Sequence, residues 1–245
     1  MKQFGLIGYP LGHSFSKKFF TEKFERETID ARYDLYELKD IAEFAALKDK
    51  SELLGLNVTI PYKEKVIAFL DELDDTAANI GAVNVIKFIR YDGKLMLKGY
   101  NSDAIGFESS LKPFLQSTHK KALILGTGGA SKAIDYTFRK LGIETSFVSR
   151  TAKSGVLTYN QLTAEIMADY KVVVNASPVG TFPHSDECPD IPYQYLTDKH
   201  LLFDVVYNPA ETLFLKKGKE HGATILNGEG MLNGQAVAAW EIWNK

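Results

Sequence analysis

The 245-residue sequence predicts an α/β protein. Short β-rich apolar runs alternate with stretches of helical periodicity nearly from end to end, and one glycine-rich turn joins such a run to such a stretch. A hydrophobic content of 45% supplies the side chains needed to cover both faces of parallel sheets. A chain of this length fits two modest domains better than one large one, and roughly 70–75% of the unfolded surface is expected to be buried.

Taken in order, strands are expected over 3–8, 31–37 and 54–58, alternating with helices over 17–27, 42–48 and 63–69. The pattern then changes. Two extended runs, 83–89 and 94–99, flank Tyr91-Asp92-Gly93, where Asp-Gly tolerates the positive φ angles of a tight hairpin. A second unit opens at KKALILGTGGASKAI, with a strand over 122–125 and then a helix carrying Ala130, Ala133, Ile134, Phe138 and Leu141 on one face. Strands follow over 145–148, 172–175 and 201–206, with a loop bearing Pro178, Pro183, Pro189 and Pro192 between the last two. Such loops border sites more often than they fill cores. The segment GEGMLNGQAVAAWEIW closes the chain as a helix.

Composition excludes several classes. Lysine and arginine total 29 against 31 acidic residues, a net charge of −2, whereas a protein held to nucleic acid by phosphate neutralisation shows a basic excess. MKQFGLIGYP does not read as a signal peptide, and no run approaches the ~20 apolar residues that cross a bilayer, so a cytoplasmic protein with no membrane partner is expected. Cys188 has no partner for an intrachain disulfide and reads as an inert loop residue. His13, His119, His184, His200 and His221 show no metal-ligand spacing, so no metal is expected.

Gly126-Thr127-Gly128-Gly129-Ala130 lies between an expected strand and an expected helix, the context in which a glycine-rich turn signals dinucleotide binding. Without Cβ atoms the backbone approaches a pyrophosphate closely, and its charge meets N–H groups and the positive end of the helix. The competing reading is an ordinary strand–helix turn. The next strand ends in Arg150, where NAD-preferring folds place an acid. A guanidinium there pairs with a 2′-phosphate, a contact worth about 1.5–3 kcal/mol, so NADP is expected, with Lys153 in support. The competing reading is a solvated surface arginine.

Four polar clusters fall at expected strand ends, where open α/β sheets bind ligands: GHSFS at 12–16, NVTIPYK at 57–63, GAVN at 81–84 and GYNSD at 99–103. Their hydroxyls, amides, single cation and carboxylate suit a small polyhydroxylated acid. In this order, followed by GTGGASKAI, NASPVG, FDVVYNP and GMLNGQ, they closely resemble the shikimate dehydrogenase family over nearly the whole chain.

The resemblance implies two α/β lobes: a substrate-binding domain over 1–100, completed by a C-terminal helix within 227–245, and a Rossmann-type NADP-binding domain over 101–226. It implies NADPH-dependent reduction of 3-dehydroshikimate to shikimate, a step toward chorismate and the aromatic amino acids, by a monomer or homodimer. Lys63 and Asp103 match the family's catalytic pair. Ser14, Ser16, Asn57, Thr59, Asn84, Tyr207 and Gln235 match its substrate contacts. Gly126, Thr127, Gly128, Gly129, Ala130, Ser149, Arg150, Thr151, Ser177, Val205 and Gly228 match its cofactor contacts. The chain departs from the family at Ser149, where Asn is usual, at Lys17, where Pro is usual, at Phe20 and Thr21 in place of His-Asn, and at Val85 in place of Thr. A quinate-preferring or broad-specificity dehydrogenase and a non-catalytic nucleotide-binding protein remain alternatives at this point.

Overall fold

A computed structural model describes residues 1–12 and 14–245; His13 of the GHSFS cluster lies outside the described residues. The chain forms two compact units, Met1–Ser102 with Gln235–Lys245, and Asp103–Gly234.

The first unit is built on a six-stranded sheet. Its strands are β1 (Lys2–Gly8), β2 (Ala31–Glu37), β3 (Leu53–Val58), β4 (Glu72–Leu73), β5 (Val85–Tyr91) and β6 (Lys94–Tyr100), in the order β2-β1-β3-β5-β6-β4. β1 pairs parallel with β2 and β3, whereas β3 with β5 and β5 with β6 are antiparallel, so the sheet is mixed. The β5–β6 hairpin turns on Asp92 (φ 49°) and Gly93 (φ 73°), two successive positive angles of the kind an Asp-Gly pair accepts. Side-chain alternation gives the sheet two buried faces. Ile7, Leu56, Ile86 and Leu97 pack with Phe44, Tyr62 and Val66 on one side. Phe4, Leu6, Tyr33 and Val85 pack on the other with Phe20 and Phe24 of helix α1 (Phe15–Arg26) and with Ala236, Ala239 and Trp243 near the C-terminus. Gly55 makes that second layer possible: a Cβ there would lie 2.2 Å from Trp243 Nε1. The same indole N–H donates to the Ile86 carbonyl at 3.1 Å.

Local structure in this unit differs from the sequence pattern at several points. Helix α1 starts at Phe15 rather than at 17, because the Ser14 hydroxyl caps it by accepting from the Lys17 N–H. The expected helices over 42–48 and 63–69 are 3₁₀ turns, Ile41–Leu47 and Lys65–Phe69. Both close on i→i+3 bonds, Lys48 N–H to the Ala45 carbonyl and Leu70 N–H to the Ile67 carbonyl; the first carries a capping box at Asp40 and Glu43, and the second has no side-chain cap. Helix α2 (Asp75–Ile80), not read from the pattern, is set by Asp74, which accepts from the Ala77 N–H, and by Gly81 at φ 70°.

The second unit carries a fully parallel sheet: β7 (Lys121–Leu125), β8 (Glu144–Ser149), β9 (Val156–Thr158), β10 (Val172–Asn175), β11 (Leu201–Asp204) and β12 (Thr224–Leu226). The order β12-β11-β10-β7-β8-β9 is that of a doubly wound dinucleotide-binding fold, with the reversal of direction between β7 and β10. Helices α3 (Asp103–Leu111), α4 (Gly129–Lys140), α5 (Ala164–Asp169) and α6 (Leu213–Glu220) cover it. Ala122, Ile124, Val172, Val174 and Phe203 face one core layer, and Leu123, Leu125, Val173 and Leu202 the other, which is why these strands read as unbroken apolar runs. β11 ends at Asp204 rather than at 206: its carboxylate accepts from the Val206 N–H and turns the backbone out of the ladder. His119 and His200 are buried, each taking a backbone N–H on Nδ1 at 3.0 Å and meeting a carbonyl through Nε2. Burial holds both imidazoles below the usual histidine pKa. Helix α7 (Glu229–Asn244) begins in the second unit and ends in the first. No described helix is long and apolar enough to cross a membrane.

Candidate active site

In the first unit, the substrate candidates gather around the C-terminal ends of β1 and β3. Asn57 lies in β3, and Thr59 and Lys63 follow in the turn that leaves it. The Thr59 N–H donates to the Ile7 carbonyl, and Gly8 leaves room for the Thr59 methyl, which a Cβ would meet at 2.4 Å. The turn is pinned by the buried Tyr62, whose hydroxyl donates to the Leu38 carbonyl at 2.6 Å. Beside it, the Val83 N–H donates to the Lys63 carbonyl at 2.7 Å, which ties the backbone of Lys63 to the residue preceding Asn84.

Asn84 is the centre of this cluster. It is 2% exposed, its Oδ1 accepts from the Ser102 N–H at 2.6 Å, and its Nδ2 donates to Ser102 Oγ at 3.1 Å and to Gln235 Oε1 at 3.2 Å. Asn57 Nδ2 lies 3.4 Å from the Asn84 carbonyl. The structure therefore brings Asn57, Asn84 and Gln235 together, with the last contributed from far along the chain. Ser14 serves as the α1 cap, and Ser16 hydrogen-bonds Tyr33, whose own hydroxyl donates to Asn57 Oδ1 at 2.8 Å. Ser102 and Tyr33 escaped the sequence reading. Ser102 sits inside a cluster already singled out, GYNSD, but the aromatic spacing of Tyr33 signals only core.

In the second unit, β7 runs into Gly126 (φ 120°), whose Cβ position lies 3.2 Å from the Ala176 carbonyl and 3.4 Å from the Ser177 N. Glycine is required there on both counts. Gly128 caps α4 without a side chain, the first turn holds no acid, and a Cβ on Gly128 would meet nothing within 4 Å. The open, positive helix end and the Ser131 Oγ, buried without a hydrogen-bond partner among the described residues, suit the pyrophosphate of a dinucleotide. Gly129 and Ala130 are the first residues of that helix. At the end of β8, Ser149 Oγ accepts from the Thr151 N–H at 3.3 Å, and Arg150 between them is exposed. Arg150 and Ser177 thus stand at the ends of the strands that flank β7.

A buried carboxylate joins two of these loops. Asp204 Oδ1 accepts from Asn175 Nδ2 at 2.9 Å and from the Val206 N–H at 3.0 Å, and Oδ2 accepts from the Thr212 hydroxyl at 2.6 Å. Asn175 Oδ1 in turn accepts from Ser177 N–H and Oγ–H at 3.1 and 2.7 Å. Burial pushes the Asp204 carboxyl up to about 6 against the pull of those three donors. An acid closing the apolar run LLFD is the one sequence signal for this hub. Val205 is fixed by Gly228, whose Cβ position is 2.1 Å from the Val205 carbonyl oxygen. Tyr207 is exposed on the loop after β11, and Asp103 is the buried first residue of α3.

A family model described as the shikimate dehydrogenase substrate binding domain matches residues 6–86. A shikimate dehydrogenase (NADP(+)) of Carboxydothermus hydrogenoformans is 39% identical over 98% of this chain and 90% of its own length. The chain belongs to the shikimate dehydrogenase family. The shikimate dehydrogenase crystal structure from Aquifex aeolicus superposes with a TM-score of 0.86 at 35% identity, covering 99% of this chain and 92% of that one. The family member from Thermus thermophilus, solved in complex with NADP(H) and shikimate, matches at a TM-score of 0.86 and 29% identity over 99% of this chain and 93% of that one. As a family member, the chain has its glycine turn where a dinucleotide-binding fold reverses strand order, and its amide cluster at strand ends of the other unit.

Proposed function

We propose that this protein catalyses the NADPH-dependent, reversible reduction of 3-dehydroshikimate to shikimate. The observation that carries the reading is the coexistence in one chain of the Gly126–Gly128 turn on a doubly wound sheet and the Asn57–Asn84–Gln235 amide cluster on a separate sheet. Bound NADPH supplies the hydride. Asn57, Thr59 and Asn84, with Ser14, Ser16, Tyr207 and Gln235, are assigned to the ring hydroxyls and carboxylate of the substrate. Lys63 is assigned to the carbonyl oxygen, as proton donor or as the fixed charge that stabilises the alkoxide, and Asp103 to the same proton exchange. Arg150 and Thr151 are assigned to the 2′-phosphate, and Gly126–Ala130, Ser149, Ser177, Val205 and Gly228 to the rest of the dinucleotide. The substrate domain is taken as 1–100 with 227–245 and the NADP domain as 101–226, in a cytoplasmic monomer or homodimer that binds no nucleic acid.

The test is loss of NADPH absorbance on adding 3-dehydroshikimate, repeated with NADH and with dehydroquinate. NADPH is expected to be preferred by about ten- to a hundred-fold, the worth of one charge-assisted contact. Oxidation of NADH but not NADPH would overturn the assignment of Arg150, and binding of NADPH without turnover would overturn the enzyme reading. Lys63→Ala is expected to lower kcat by roughly 10²–10⁴; an unchanged kcat removes Lys63 from the chemistry.

A further inference from the structure

Tyr33 carries a hydroxyl in an otherwise apolar layer. Its residue is 3% exposed, and its ring is stacked on Phe20 at 4.8 Å with an interplanar angle of 12°. Trp243 lies 6.5 Å from Tyr33 and 5.2 Å from Phe20, so α1 and the C-terminal helix hold the phenol together. Strand register explains its reach. Tyr33 on β2 is opposite Phe4 on β1, and Phe4 is opposite Gly55 on β3; Asn57 lies two residues further along the same face. The phenol extends across β1 and donates its single proton to Asn57 Oδ1 at 2.8 Å, while Ser16 hydrogen-bonds the same oxygen. A phenol that donates to the amide has only acceptor capacity left for Ser16, so the order of the chain is fixed: Ser16 to Tyr33 to Asn57.

The structure assigns to Tyr33 the role of a positioning residue that selects which end of the Asn57 amide faces the ligand. With Oδ1 engaged by the phenol, the donor Nδ2 is the end presented, and its internal bond to the Asn84 carbonyl is long, at 3.4 Å. The ligand atom held by Asn57 is then an acceptor, a carboxylate or hydroxyl oxygen. Without the phenol proton only the long bond to the Asn84 carbonyl opposes a half-turn of the amide, which would set a carbonyl against that oxygen. Burial raises the Tyr33 pKa well above the ordinary phenol value, so the proton stays in place at every pH at which the protein works. This inference rests on the assignment of Asn57 to substrate binding.

Tyr33→Phe removes one oxygen and keeps the ring stack. The expected result is a rise of about five- to thirty-fold in KM for shikimate, the worth of one orienting hydrogen bond, with kcat changed less than about threefold and KM for NADP unchanged. Asn57→Ala, measured beside it, separates the inference from the assignment beneath it. If Asn57→Ala raises the shikimate KM and Tyr33→Phe does not, Tyr33 does not position Asn57. If neither variant moves it, Asn57 does not bind substrate. If Tyr33→Phe lowers the melting temperature and impairs both ligands alike, the hydroxyl is a packing element only, and the inference falls.

Discussion

Asp204 shows what a single residue costs and gives. Its folded-state carboxyl sits at about 6, above the unfolded value of ~3.9, so the folded protein binds that proton more tightly than the unfolded chain does. The stability it contributes is therefore fully present below about pH 4 and lost as pH rises through about 6, a change of up to about 3 kcal/mol. His119 and His200 act in the opposite sense: their depressed pKa values supply stability above about pH 6.5 that is lost as pH falls. Asp204→Asn isolates the first effect. Urea unfolding of both proteins from pH 4 to 7 should show wild-type stability falling relative to the variant across that window; a flat difference would mean the carboxylate is not buried while charged. Residues of this kind are poorly legible in sequence. Gly126 is legible because its constraint is local, a φ of 120° and a close approach within one strand–turn–helix unit. Tyr33 and Asp204 are not, because their partners lie across strands: Asn57 is 24 positions from Tyr33, and Asn175 is 29 from Asp204.

At the scale of elements, long periodic segments such as α4 and apolar strands such as β10 follow directly from their patterns, while short ones do not. The two 3₁₀ turns carry apolar residues at helical spacing, Phe44 and Leu47 in one and Val66 in the other, and differ from α-helices in their i→i+3 bonding, which the spacing of apolar residues does not announce. β4 is two residues long and is defined by its pairing with β6, Glu72 opposite Lys98, which no local pattern announces. The fit between β3 and the C-terminal helix is equally nonlocal and can be tested. Gly55→Ala places a methyl group 2.2 Å from Trp243 Nε1, so overpacking of about 1–3 kcal/mol is expected, lowering the melting temperature by roughly 2–12 °C. Trp243→Leu in the Gly55→Ala background should cost less than the sum of the two single changes, because the second removes the clash. Strict additivity would show that the glycine is not there to admit the indole.

The whole molecule crosses between its units twice, at Ser102–Asp103 and at Gly234–Gln235, so the first unit is discontinuous in sequence and the second is one uninterrupted stretch. Alternation of strand and helix patterns conveys the α/β class, and the Asp-Gly hairpin conveys β5 and β6. The antiparallel seam between β3 and β5, which joins the hairpin to the parallel strands of the first sheet, depends on where the hairpin docks and is not legible. The discontinuity has a spectroscopic consequence. Both tryptophans of the protein, Trp240 and Trp243, sit in the returning segment, under Lys23 and against Phe4 respectively. Indole emission is thus blind to the dinucleotide-binding half of the chain. On denaturation, emission should track only the half that carries both indoles, while far-ultraviolet dichroism sums both, and, on the proposed assignment of shikimate to that half, saturating shikimate should move the emission midpoint first if the halves come apart separately. Coincident midpoints under every ligand condition would instead mean that the two sheets melt as one.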